Sequence, residues 1–162
     1  LLTKAKDTTA FLKDLNEQIS KDDTANLYVI HGTPKLDTIG IDSINYTASF
    51  LELISEKNFT CSLEGAFPYF EINDVIKSRI EKLGLKKVQV VPLLLVSGNH
   101  YIEDMFEIKD DLSDKFESFI VPSLTKSEKF NLIELPMIQN IIEKNIQNTF
   151  KMMGISHKEI TY

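Results

Sequence analysis

Three apolar runs, "LYVI" at 27–30, "FTCSL" at 59–63 and "VQVVPLLLV" at 88–96, are separated by stretches whose apolar residues recur at helical spacing. That alternation constrains the fold more than any other feature of the chain. Strands that are apolar throughout, instead of alternating, are expected when helices cover both faces of a parallel sheet. The helical stretches carry Phe11, Leu12, Leu15 and Ile19; then Ile44, Ala48, Leu51 and Ile54; then Ile72, Val75, Ile76, Ile80 and Leu83; and finally Ile138, Ile141, Ile142 and Ile146 from Pro136 onward. Each set forms one stripe on a 3.6-residue period. Asp42 is expected to cap the second helix and Gly84 to stop the third. A fourth strand is expected between Phe119 and Asn131. The fold class is therefore α/β, and 162 residues with an even composition suit one domain over residues 1–162.

In an open parallel sheet, ligands bind outside the carboxyl ends of the strands, because every strand-to-helix loop opens there. Each of the three runs leads to a chemically capable residue within two positions of a glycine: His31 in "IHGT", Glu64 in "LEGAF" and His100 in "SGNHY". They lie 33 residues (31 to 64) and 36 residues (64 to 100) apart, about one βα unit each. If the strands are parallel neighbours, that spacing returns all three side chains to one edge of the sheet. Two imidazoles and a carboxylate are a ligand set for divalent zinc, cobalt, nickel or iron(II), and also a set able to move protons. A single strand-end histidine or glutamate is more often structural, and it is the repetition that singles these out. His157 reads as a solvated surface residue. Glu103 and Asp104 read either as partners of His100 or as first-turn acids favouring a helix dipole.

Several function classes are set aside. A net charge of -6, with no basic stripe, argues against nucleic acid. One cysteine, Cys61, can build neither an internal disulfide nor a thiolate zinc site, which suits a cytoplasmic location. Cys61 is expected to be a buried, inert thiol. No run approaches the roughly 20 apolar residues of a membrane span. The chain holds no G-x-S-x-G elbow, no P-loop and no G-x-G-x-x-G cradle.

Three blocks, "LYVIHGT", "LEGAFP" and "VVPLLLVSGNHYIEDM", resemble in order and spacing those of the anaerobic sirohydrochlorin cobaltochelatases, the class II chelatases of cobalamin synthesis. The likeness runs from about Thr3 to Phe150 and is to the second half of the family's two-domain protein. It implies a chelatase-like (flavodoxin-like) three-layer sandwich with a parallel four-stranded sheet. It also implies a lyase that inserts cobalt(II) into a sirohydrochlorin-type tetrapyrrole. By this resemblance His31, Glu64 and His100 are the metal-contacting and catalytic residues. The partners are the tetrapyrrole and the divalent ion, with no cofactor beyond that metal substrate: cobalt, with nickel or iron as alternatives. Either a missing N-terminal half or a homo-oligomer would complete the cleft. The sequence departs from the family pattern around the ligands: Pro34, Lys35, Leu36 and Asp37 follow Thr33, Asn99 precedes His100, and Glu103 stands where asparagine is usual. A non-catalytic metal- or tetrapyrrole-binding module derived from a chelatase is the alternative reading.

Overall fold

The computed structural model describes residues 4–33, 41–65, 67–95, 99–125 and 128–154, with the side chains of 99–102 excepted. Lys35 and His157 lie outside the described residues. The elements are α1 (Ala5–Ile19), β1 (Thr24–Thr33), α2 (Ile41–Ile54), β2 (Asn58–Gly65), α3 (Tyr69–Lys82), β3 (Lys87–Pro92), α4 (Asn99–Ser113), β4 (Glu117–Ile120) and α5 (Pro136–Met152), with a 3-10 turn at Leu132–Glu134.

The four strands form one sheet in the order β2-β1-β3-β4, all pairs parallel. Chain order reverses direction between β1 and β3, so the winding changes sense there. A sheet wound in both directions must carry helices on both faces. Accordingly, one core cluster joins Phe11, Leu12, Leu15 and Ile138 of α1 and α5 to Tyr28 and Leu51. The other joins Ile76 and Ile80 of α3 and Met105, Ile108 and Leu112 of α4 to Leu27, Val29 and Val90. Of the residues described, none belongs to a helix long and apolar enough to cross a membrane.

The structure departs from the expected elements in six places. β3 stops at Pro92, not at Val96: proline has no N–H to continue the ladder. Beyond it, Leu94 and Leu95 accept backbone bonds from Leu132 and Ile133 instead. His100 consequently stands in the first turn of α4, not at a strand end. β4 begins earlier than expected and is only four residues long, overlapping the expected interval at Phe119 and Ile120. Asp42 lies inside the first turn of α2, which begins at Ile41. Glu103 and Asp104 fall in the second turn of α4, whose first turn holds no acid. Val75, Leu83 and Ile146, members of the apolar stripes, are 59%, 38% and 49% exposed. Gly84 does follow α3 with a left-handed backbone, φ +71°, as a helix stop requires.

Candidate metal centre

The site begins where β1 and β2 run out. Their ladder is regular from Asn26↔Asn58 to Ile30↔Ser62 and then resumes at Gly32↔Glu64 and Thr33↔Gly65, without a 31↔63 pair. In an unbroken ladder His31 and Glu64, one register step apart, would point to opposite faces. The alternation is broken by the two glycines, both at φ +83°. Neither tolerates a side chain, since a Cβ on Gly32 would stand 1.9 Å from the Glu64 carbonyl oxygen and one on Gly65 1.7 Å from that of Thr33. The strand ends therefore close on each other through backbone alone. His31 Nδ1 comes 3.4 Å from Glu64 Oε1.

The chain leaves β2 through a second tight turn. Phe67 holds a left-handed backbone, φ 62°, uncommon for a bulky residue. Its carbonyl accepts the Ser62 N–H at 3.1 Å. That bond folds the segment back along the edge strand, and Pro68 leads into α3.

His31 and Glu64 share a cavity of about 410 Å³ with Ser62, Leu63, Tyr69, Phe70, Asp104, Glu107 and Ile108. Both remain open to solvent, with side chains 66% and 48% exposed. Three carboxylates and one imidazole face this space, and no lysine or arginine is among its described lining residues. Such a wall attracts a cation and repels an anion. Donor atoms 3.4 Å apart are compatible with one shared ion, because ligands each about 2.0–2.2 Å from a zinc-like ion lie roughly 3–4 Å from one another. Among the described residues no three His, Cys, Asp or Glu are grouped to hold a metal. The third expected ligand is His100, whose side chain lies outside the described residues. Its backbone opens the helix that follows β3, the neighbour of β1 on the side away from β2.

Glu107 has no counterpart among the residues singled out from the sequence, and Asp104, read there as a partner of His100 or a first-turn acid, lines the cavity beside it. The signal lay in their spacing with Asp111, at i, i+3 and i+7, which puts three carboxylates on one face of α4. A larger groove of about 670 Å³ follows the outer edge of β2 between α2 and α3 and is mostly apolar. Cys61 borders it, but burial pushes that thiol far up, so it is no nucleophile at neutral pH. At its mouth Glu52 is engaged by Thr60 and Arg79.

Comparison with known proteins bears on this arrangement. No match was found among curated proteins. A crystal structure from Marinobacter aquaeolei VT8, described as a cobalamin (vitamin B12) biosynthesis CbiX protein, superposes with a TM-score of 0.58 at 17% identity. The match covers 80% of this chain and 98% of that one. At that identity the likeness is one of fold, and it agrees with the doubly wound sheet described above. Residues 2–151, all but the ends of the chain, match the sequence model of the family described as Cobalt chelatase (CbiK). With His31 and Glu64 brought together beside an acidic cavity at the carboxyl edge of that sheet, the chain belongs to the CbiK cobalt chelatase family.

Proposed function

We propose that this chain inserts cobalt(II) into a sirohydrochlorin-type tetrapyrrole in anaerobic cobalamin biosynthesis, as a cytoplasmic lyase. The observation that carries the reading is the 3.4 Å approach of His31 to Glu64 in a member of a cobalt chelatase family. Insertion exchanges one divalent ion for two pyrrole N–H protons, so charge balances: the macrocycle gains Co²⁺ and releases two H⁺. His31 and His100 hold the ion through neutral imidazole nitrogens and are the candidate bases. Glu64 offsets the ion's charge and relays a proton to water. The exposure of both described side chains leaves room for a macrocycle to approach the ion from outside.

A tetrapyrrole of this class carries several carboxylates, and the acidic wall of the cavity does not suit them. In this reading the basic groups that receive them come from elsewhere: the segment around Lys35, a further half preceding Leu1, or a second copy of the chain. The same wall favours one alternative, a module that binds the divalent ion without inserting it.

The test is to mix the purified chain with cobalt(II) and sirohydrochlorin and follow the macrocycle's visible spectrum. Multiple turnovers, abolished in His31→Ala, support the chelatase. Stoichiometric cobalt binding without a spectral change in the macrocycle would replace it with the binding module. Absence of cobalt binding altogether would sink both.

A further inference from the structure

α3 and α4 meet along a polar seam that the metal reading leaves unused. Tyr69, Asn73 and Lys77 follow each other at four-residue spacing and so share one face of α3. All three reach the same oxygen of Asp111 on α4. Lys77 Nζ stands 2.8 Å from Asp111 Oδ2, the Tyr69 hydroxyl donates to it at 2.7 Å and Asn73 Nδ2 at 3.2 Å. Lys77 is only 5% exposed. Lysine is almost never buried unless paired, and an apolar pair of similar volume would hold two helices together at least as well. Stability alone therefore does not account for this lysine. What three bonds converging on one carboxylate add is a fixed spacing between the helices.

That spacing matters immediately above the seam, where the same two helices part to form the candidate metal cavity. Tyr69 and Phe70 stand on one side, Asp104 and Glu107 on the other. Asp104, Glu107 and Asp111 occupy one face of α4 within about 10 Å of helix length, so a shift at Asp111 is carried to the other two. Asp111 is met by the buried Lys77 amine, while Asp104 and Glu107 line the space shared with His31 and Glu64.

We infer that Lys77, Asp111 and Tyr69 form a positioning cluster for the candidate metal centre, holding the Asp104 and Glu107 carboxylates of α4 at a set distance from His31 and Glu64. This role rests on the metal reading given above. Burial alone would raise the Asp111 pKa, but the bonds from Lys77, Tyr69 and Asn73 more than reverse it and hold the carboxyl below its usual value. Burial first, and then the bond to Asp111, push the Tyr69 hydroxyl up, so it remains the donor.

The experiment is a cobalt(II) titration of the whole chain, read by the visible ligand-field absorption of the bound ion. It compares wild type with Lys77→Met and with the double variant Lys77→Met/Asp111→Leu. The double variant leaves no uncompensated charge and keeps an apolar helix contact, so it answers the question even where the single variant fails to fold. Removing outer-shell support from metal sites typically weakens affinity 10- to 100-fold. A cluster acting through a helix should fall at the low end, about tenfold, with a displaced absorption band. A purely structural role would leave the band of the folded double variant where wild type has it. Wild-type affinity and an unmoved band in that variant would overturn the positioning role while the metal reading stands. A wild-type chain that binds no cobalt would overturn both.

Discussion

The two ends of the same three strands use polar side chains in opposite ways. At the amino end, Asn58, Asn26 and Gln89 stand side by side on β2, β1 and β3, in register and each 1% exposed. Asn26 donates to Asn58 at 2.8 Å and to Ser20 at 3.0 Å, and accepts from Gln89 at 2.5 Å. Asn58 donates onward to Asn16 and to the Leu51 carbonyl, Gln89 to the Ile19 carbonyl, and Tyr28 also donates to Asn16. Asn26, Asn58 and Gln89 each donate two side-chain bonds inside the protein. Among the described residues no buried side-chain polar atom lacks a partner. At the carboxyl end, His31 Nδ1 lies 3.4 Å from both Glu64 Oε1 and the Gly32 carbonyl oxygen, and the two side chains stay 66% and 48% exposed. A closed network fixes register and a single native arrangement. An open pair, held by a rigid frame, is available to a ligand.

The contrast can be broken most severely at the closed end. Asn26→Leu strips partners from both Asn58 and Gln89 inside the core. With about 1–3 kcal/mol for each buried group left unsatisfied, a loss of roughly 3–5 kcal/mol in urea unfolding is expected. A loss below about 1 kcal/mol would show that water replaces the missing amide and that the ladder is not closed.

Gly32→Ala is the next largest change and joins the two ends of the comparison. The left-handed backbone alone costs on the order of 1–3 kcal/mol for a residue with a Cβ, and the new carbon would meet the Glu64 carbonyl. Stability should fall by at least about 2 kcal/mol, and cobalt affinity should fall with it, because His31 and Glu64 can no longer close. Retention of full cobalt affinity would mean that the glycine pair is dispensable to the site.

His31→Ala sharpens the difference from the other side. Loss of an exposed side chain whose two contacts are both long, 3.4 Å to Glu64 and to the Gly32 carbonyl, should cost no more than about 0.5 kcal/mol of stability. Most of the cobalt affinity should nevertheless disappear, as titration will show. A clear drop in unfolding free energy without loss of metal binding would reverse the assignment of this end.

The smallest expected effect lies between the ends. Cys61, in the middle of β2 and 4% exposed, should resist a thiol reagent under native conditions and react only on unfolding. Rapid labelling of the folded protein would indicate that the edge strand opens.

Parts of this were open to a reader of the sequence and parts were not, for identifiable reasons. The apolar stripe of α1 is buried as its spacing requires, and the strand-end recurrence of His31 and Glu64 foretells their meeting. The sequence extends β3 too far because Leu93–Leu95 are as apolar as a strand: Leu93 still donates to Val29 of β1, and only the bonds of Leu94 and Leu95 to Leu132 and Ile133 show where the chain leaves the sheet. Lys77 looks like any solvated lysine on a helix until Asp111 is seen opposite it. Asn26 looks like a turn residue until its neighbours on β2 and β3 prove to be amides in register.

Local periodicity is a property of the chain itself, so the sequence alone determines the α/β alternation, the parallel sheet and the residues that recur at the carboxyl edge. Whether a polar group is spent or available is a property of its partners, and those stand 32 residues away for Asn26 and Asn58, 63 for Asn26 and Gln89, and 42 for Tyr69 and Asp111. Only the tertiary structure brings such partners together. For that reason the folded chain alone decides that one row of polar side chains is closed and the other open, and that Gly32 must be glycine because another strand's backbone occupies the space its side chain would need.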